Sequence, residues 1–213
     1  MEVGGCVFIY SFLLQWAVGG MSEECVREGS AEVFEAFLLG SRIVVVDPEM
    51  ANKLYFKHGF YGRFFTVPKP KLPDVKKELE LSFFDAVYLM EKGLLKVRDR
   101  GGESVGLETL VSLASAHFEN FADAYAVYKD LRDHGYVVKS GLKFGTTFAV
   151  YKFGPGIDHA PFLVHVLNYS SRLDPLEIIR AGRLSHSVRK RLLLAYRDPF
   201  EGKVRYFVFK WLF

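Results

Sequence analysis

Three side chains in the second half of the sequence have the chemistry needed to cleave RNA. Tyr151 ends the apolar run Phe148–Tyr151, His159 follows a glycine-rich turn, and Lys190 lies in a basic segment. When a 2′-hydroxyl attacks its adjacent phosphate, the reaction needs a proton acceptor, a proton donor for the departing 5′-oxygen, and positive charge beside the phosphorane. A phenol, an imidazole and an ammonium group match these three tasks without a cofactor or a metal ion.

Each of these residues also has an ordinary structural explanation. A phenol with a pKa of about 10 is almost fully protonated at neutral pH. Tyr151 can act as a base if nearby cations lower its pKa, or if its proton leaves late in the transition state. His165 and His186 are alternatives to His159 as the acid, although His165 lies in an apolar strand typical of a core. Lys190 has basic neighbours on both sides and equally fits an exposed basic turn.

The elements of the first half predict a small α+β domain. Glycine at the first position of Gly40-Ser41 is typical of a type II′ hairpin turn between two strands. Asp47 and Pro48 are an N-cap and a first helical residue, and Ser82 is a second N-cap. The predicted elements are strands at 31–39 and 42–47, a helix from 48 to about 58, a helix from 82 to 93 and a short strand at 94–97.

The second half predicts a mixed β-sheet flanked by helices. Helical patterns cover about 106–115 and 118–134, and β-prone runs cover 136–138, 148–153, 162–166, 176–179 and 204–213. Residues 185–196 carry a serine cap followed by an apolar face, and this pattern predicts one more helix. The whole chain is therefore expected to be α+β.

Composition divides the 213 residues into three parts. The Asp99–Gly102 segment has the composition of a boundary, which gives an N-terminal extension at 1–30, a non-catalytic α+β domain at 31–103 and a catalytic domain at 104–213. Glycines and polar residues dilute the apolar stretch Val3–Gly20, so we expect no membrane span there. Met21 follows directly, and we interpret it as the natural start.

Basic residues are concentrated towards the C-terminus. Residues 129–213 hold 15 Lys and Arg against 7 Asp and Glu, which favours contact with a polyanion. Lys69 and Lys71 lie among the prolines of Thr66–Lys77, a loop that is either a solvated linker or a phosphate-binding segment. The chain has 2 cysteines, too few for a disulfide framework, and this fits a reducing, cytoplasmic location.

Short motifs between residues 141 and 190 resemble the catalytic domain of archaeal tRNA-splicing endonucleases. They read GLKFG at 141–145, FAVY at 148–151, His159, LVHV at 163–166 and HSVRK at 186–190. The resemblance implies a restriction-endonuclease-like sheet with Tyr151 as general base, His159 as general acid and Lys190 as the stabilising cation. It also implies cleavage of precursor tRNA at bulge-helix-bulge sites, leaving a 2′,3′-cyclic phosphate and a 5′-hydroxyl, with no cofactor and no metal.

The same resemblance implies further contacts with RNA and with other subunits. Arg183 and Arg205 match the pair of arginines that sandwich a bulge base in this family. Independently of the resemblance, His186 either orients the substrate or caps the helix that it begins. An acidic loop at Asp198–Gly202 matches the family's inter-subunit contact. The basic loop with Lys69 and Lys71 resembles an insertion in crenarchaeal heterotetramers. We therefore expect a heterotetramer with a non-catalytic paralogue, with a homo-oligomer as the alternative.

Two rival functions remain open from the sequence. An RNA-binding structural subunit of the same assembly would keep the fold without activity, although the complete set of three site residues argues against it. A metal-dependent DNA nuclease would need an Asp/Glu-x-Lys arrangement, for which the sequence offers no convincing candidate. Cleavage in the presence of EDTA distinguishes all three.

Overall fold

The structure is a computed structural model, and it describes residues 32–67, 70, 72–170 and 174–209. The predicted extension at 1–30 lies outside the described residues. Lys69 and Lys71, both predicted to bind substrate, lie outside them as well. In the described part of the chain, no helix has both the length and the apolar character needed to cross a membrane.

The N-terminal half forms a mixed six-stranded sheet with the order β3-β4-β2-β1-β5-β6. Strands β1 and β5 are parallel, and the other neighbours are antiparallel. The elements are β1 (Phe34–Leu39), β2 (Arg42–Val45), α1 (Pro48–Asn52) continued by a π-helical turn (Lys53–Lys57), β3 (Arg63–Phe64), β4 (Leu79–Leu81), α2 (Phe83–Glu91), β5 (Leu95–Arg98), β6 (Ser104–Val105) and α3 (Leu107–His117).

The C-terminal half forms a mixed five-stranded sheet with the order β11-β10-β9-β8-β7. Only the central pair, β9 and β10, is parallel among the described strands of this sheet. The elements are α4 (Phe121–Asp133), β7 (Val137–Ser140), a 3₁₀ turn (Leu142–Phe144), β8 (Phe148–Tyr151), β9 (Phe162–Val166), α5 (Pro175–Ser187), β10 (Arg191–Arg197) and β11 (Val204–Phe209). The predicted α+β class is confirmed.

Capping and turn residues act where the sequence predicts them. Gly40 has φ +69° at the hairpin between β1 and β2. Asp47 accepts a hydrogen bond from the backbone N–H of Glu49 at the start of α1. Ser82 and Asp85 form a capping box at the start of α2. Local side-chain chemistry therefore fixes these boundaries.

Two predicted elements between β9 and β11 are wrong. Residues 176–179 were predicted as a strand but lie in α5, and residues 185–196, predicted as a helix, contain the end of α5 and most of β10. Parallel strands need a long crossover connection, usually a helix, and β9 and β10 are parallel. The apolar run Leu192–Ala195 is that of a central strand buried between neighbours, which lacks the alternation of an edge strand.

The chain groups into two compact units. One contains the described residues from 32 to 121 together with 154–157, and the other contains residues 122–153 and the described residues from 158 to 209. Helix α3 packs against α2 and so lies in the first unit. This division falls later than the boundary at residues 103–104 that composition suggests.

Candidate functional site

The C-terminal sheet gathers three chain segments at one of its ends. Strand β8 finishes at Tyr151 beside the start of β9, because Val150 pairs with Phe162 in antiparallel register. Strand β10 starts level with β9, because Arg191 pairs with the same Phe162 in parallel register. The carboxyl end of β8 and the amino ends of β9 and β10 therefore lie at the same end of the sheet.

Tyr151, His159 and Lys190 all belong to chain segments at that end of the sheet. Tyr151 is the last residue of β8, His159 precedes β9 and Lys190 immediately precedes β10. A cluster of buried hydrophobic residues lies in the core next to these segments, and Tyr151 packs against this cluster. Its members are Ala149, Ala160, Leu163, Leu192 and Leu194.

Lys190 points inward while its basic neighbours point to solvent. Its Nζ donates a hydrogen bond of 2.5 Å to the carbonyl oxygen of Ala160 and lies 5.6 Å from the ring centre of Phe144. Arg189 and Arg191 are exposed. The prediction placed Lys190 on a helix, but it lies in the connection after α5. Arg189 reverses the chain there with φ +54°.

The pKa of Lys190 lies below that of an ordinary lysine. Burial is the main cause, and the positive charge of Lys143 adds to it, while Asp158 acts in the opposite direction. A less hydrated ammonium group interacts more strongly with an incoming anion than one fully exposed to water.

The pKa of Tyr151 is raised, so nearby cations do not lower it in the unliganded protein. Burial is the larger cause, and the negative charge of Asp158 adds to it. The phenol of the unliganded protein is therefore protonated at neutral pH.

Asp158 is a site residue that the sequence analysis missed. Its Oδ2 accepts hydrogen bonds from the backbone N–H groups of Lys152 (3.0 Å) and Phe153 (3.3 Å). These bonds fold the loop after β8 back on itself, and the negative charge of the carboxylate acts on both Tyr151 and Lys190. A single Asp in a loop has no motif, so no local signal could have identified it.

His159 is exposed directly after Asp158. Within the described residues, no hydrogen bond restrains its imidazole. The ring is thus accessible to a substrate bound at this end of the sheet.

Arg205, another predicted RNA contact, lies away from this group, whereas Arg183 and His186 belong to the helix that precedes Lys190. Arg183 and His186 are exposed on α5. Arg205 forms an ion pair with Glu201 at 2.9 Å and pairs with Tyr196 across the β10–β11 ladder. Tyr196 is six residues beyond Lys190, which at roughly 3.3 Å per strand residue amounts to about 20 Å. Arg205 therefore lies at the opposite end of the sheet.

Two family models match the chain. The model for the tRNA intron endonuclease N-terminal domain matches residues 34–111, and the model for the catalytic C-terminal domain matches residues 121–206. The chain belongs to the tRNA intron endonuclease family. The resemblance seen in the motifs of residues 141–190 is confirmed.

Named relatives in this family are similar over nearly their whole length. A tRNA-splicing endonuclease of Hyperthermus butylicus is 48% identical over 179 residues, which cover 84% of this chain and 98% of the relative. The proteins of the same name from Saccharolobus islandicus and Saccharolobus solfataricus are 42% and 40% identical over the same shares. The shared region thus includes both halves of the family's architecture.

Proposed function

We propose that the chain is the catalytic subunit of a cytoplasmic tRNA-intron endonuclease that cleaves precursor tRNA at bulge-helix-bulge splice sites. The observation that carries the proposal is that β8 ends, and β9 and β10 begin, at the same end of the C-terminal sheet. Tyr151, His159 and Lys190 belong to the chain segments at that end. Membership of the tRNA intron endonuclease family supports the substrate. Recognition is by the shape of the bulged helix, because the deep groove of duplex RNA exposes little sequence to proteins.

The proposed reaction is an internal transesterification. Tyr151 accepts the proton of the 2′-hydroxyl as its oxygen forms a bond to phosphorus. His159, in its protonated form, gives a proton to the 5′-oxygen as the P–O5′ bond breaks. Lys190 stabilises the negative charge that grows on the non-bridging oxygens. The products are a 2′,3′-cyclic phosphate and a 5′-hydroxyl, so the enzyme is a lyase.

The raised pKa of Tyr151 is compatible with this assignment when proton transfer is late. Entry of RNA brings the 2′-hydroxyl against a phenol that is half-buried and feels the negative charge of Asp158. As the hydroxyl oxygen bonds to phosphorus, its proton becomes more acidic. The phenol oxygen of Tyr151 accepts that proton while the phenol's own proton passes to solvent, so Tyr151 is again a neutral phenol at the end of the step. Positive charge from Lys190 favours the deprotonated state of the phenol in the complex.

We propose an assembly of several chains, with a non-catalytic paralogue in a heterotetramer as the first choice and a homo-oligomer as the alternative. The loop at Asp198–Gly202 suits an inter-subunit contact. Asp198 accepts backbone hydrogen bonds from Phe200 and Glu201, which lower its pKa, and Phe200 is 86% exposed at the tip. This presents an anchored carboxylate beside a large apolar side chain.

Arg183 and Arg205 are proposed to sandwich a bulge base by stacking and cation–π attraction. Because Arg205 lies about 20 Å along the sheet from Lys190, it would act on a different splice site or on a site completed by a second copy. Its ion pair with Glu201 would open on RNA binding.

The decisive experiment is cleavage of a precursor tRNA with a bulge-helix-bulge junction by the full chain, alone and mixed with candidate paralogous subunits. We expect cleavage at the junction in the presence of EDTA, with cyclic phosphate and 5′-hydroxyl ends. Binding without cleavage in every mixture would favour the structural-subunit alternative. Activity abolished by EDTA and restored by a divalent ion would overturn the metal-independent mechanism.

A further inference from the structure

The turn between β7 and β8 places a second ammonium group beside Lys190. Lys143 Nζ lies 4.7 Å from the ring centre of Phe144, and Lys190 Nζ lies 5.6 Å from the centre of the same ring. The two lysines thus share one aromatic side chain although they are far apart in sequence. The positive charge of Lys143 is felt at Lys190 as well.

The backbone around Lys143 is held firmly. Within the 3₁₀ turn, Phe144 N–H donates to Gly141 O at 2.7 Å and Gly145 N–H donates to Leu142 O at 3.0 Å. Gly141 N–H also donates to Thr147 O across the turn. Gly145, at φ +63°, then directs the chain into β8. Such a turn fixes the starting point of the lysine side chain and limits the space it can search.

The charges at this place are unbalanced in the unliganded protein. Among the described residues, no ion pair engages Lys143 or Lys190. Asp158 is the carboxylate whose charge acts on Lys190, and its Oδ2 is occupied by two backbone N–H groups. Two ammonium groups with one carboxylate leave a net positive site, which costs free energy until an anion arrives.

We propose that Lys143 binds a phosphate group of the RNA backbone at the cleavage site, next to the position held by Lys190. This inference rests on the function proposed above. Phosphodiesters are the anions that the proposed substrate brings to this end of the sheet. A lysine on a rigid turn binds a phosphate as a point charge. Phe144 lies against both ammonium groups and holds them at the mouth of the site by cation–π attraction.

The test compares Lys143→Gln, Lys143→Arg and Lys92→Gln. Lys92 is a matched control, because it is also exposed and lies over an aromatic ring, with Nζ 5.2 Å from the centre of Tyr88. Each full-length variant is titrated with a bulged RNA, in the presence of its partner subunit where activity requires one. This RNA carries 2′-deoxynucleotides at the splice positions and therefore cannot be cleaved. The dissociation constant is measured over a series of salt concentrations.

For Lys143→Gln, we expect the slope of log K against log salt to become shallower by about 0.7–0.9, the value for the loss of one phosphate contact. Lys143→Arg keeps the wild-type slope, and so does Lys92→Gln. Single-turnover cleavage of the all-ribose RNA then locates the phosphate. A slower rate constant at saturating enzyme indicates the scissile phosphate, and an effect on affinity alone indicates a neighbouring one.

A wild-type slope for Lys143→Gln, with wild-type cleavage, would overturn this inference and leave the proposed function intact. An equal loss of slope for Lys92→Gln would overturn it too, since the effect would then be one of net charge. If the wild-type protein binds the RNA and no mixture cleaves the all-ribose substrate, the proposed function fails, while the slope comparison still decides whether Lys143 binds phosphate.

Discussion

At the scale of single residues, the three side chains proposed to react differ in how firmly the fold holds them in place. His159 is exposed, Tyr151 is packed against the core cluster, and Lys190 is tied to the carbonyl of Ala160. A proton donor that must follow a leaving group benefits from mobility, whereas a cation that stabilises charge benefits from being fixed in advance. The predicted roles suit these surroundings.

Replacement of His159 by alanine is expected to slow cleavage by a factor on the order of 10²–10⁴, the usual contribution of a positioned acid. Binding of RNA stays within a few fold, because no contact in the described fold depends on the imidazole. Single-turnover kinetics and a binding titration measure the two effects. His117→Ala, on exposed α3, is the control. A large loss of affinity would instead indicate a structural role for His159.

Asp158→Asn tests the carboxylate that sits between two site residues. The negative charge of Asp158 raises the pKa of Tyr151 and the pKa of Lys190. Neutralising it therefore lowers both, and the alkaline transition in the pH profile of the cleavage rate is expected to move to lower pH. Asparagine keeps an oxygen for the N–H groups of Lys152 and Phe153.

The profile of the Asp158→Asn variant is compared with that of Glu108→Gln, a charge change on exposed α3. An unchanged alkaline transition would show that Asp158 does not act electrostatically on the reaction. A lower melting temperature without a shifted profile would assign it to loop folding alone.

At the scale of elements, the site depends on how two turns leave the sheet. The connection from α5 to β10 reverses at Arg189, whose left-handed backbone costs roughly 1 kcal/mol relative to glycine. The turn before β8 needs Gly141, since a Cβ there would lie 2.4 Å from Thr146 Oγ1 and 2.7 Å from the carbonyl oxygen of Thr146. Both turns position a lysine.

Gly141→Ala is expected to destabilise the protein by about 1–3 kcal/mol, as overpacking against backbone atoms does. It should also slow cleavage, because the turn with Lys143 and Phe144 must shift. Gly145→Ala is the matched comparison. A Cβ there meets open space, and only the left-handed φ of +63° costs free energy, about 1 kcal/mol. Denaturant unfolding of both variants measures the difference, and equal losses would contradict the steric explanation.

At the scale of the whole molecule, one chain does not bring all the proposed RNA contacts together. Lys190 and Arg205 belong to opposite ends of the C-terminal sheet. A bulge-helix-bulge substrate carries two splice sites. In an assembly with two catalytic chains, RNA can therefore contact both ends of the C-terminal sheet. This is the physical reason to expect an oligomer.

Subunit mixing tests this arrangement. Arg205→Ala and Lys190→Ala chains are each expected to be impaired alone. When they are unfolded together and reassembled, sites that combine Lys190 of one copy with Arg205 of another should recover measurable cleavage. Gel filtration of the mixture, with the paralogous subunit where one is needed, gives the assembly size. No recovery in a correctly assembled mixture would indicate that both residues act within one chain.

Features that depend on near neighbours in the chain could be predicted from local residue patterns. Helix starts at Asp47 and Ser82, the hairpin at Gly40 and the apolar strands around Tyr151 and His165 all follow from short-range hydrogen bonding, backbone preference and side-chain pattern. The motifs of residues 141–190 indicated the family for the same reason, because they are short and contiguous.

The secondary structure of residues 175–197 depends on long-range strand pairing and could not be predicted from local patterns. An apolar run such as Leu192–Ala195 fits a helix or a buried strand equally well, and the choice depends on pairing with β9 about 30 residues away. The same pairing turns Lys190 inward and brings Asp158 and Lys143 to its side. Their electrostatic roles arise from distances across strands, and these are not encoded in any local spacing.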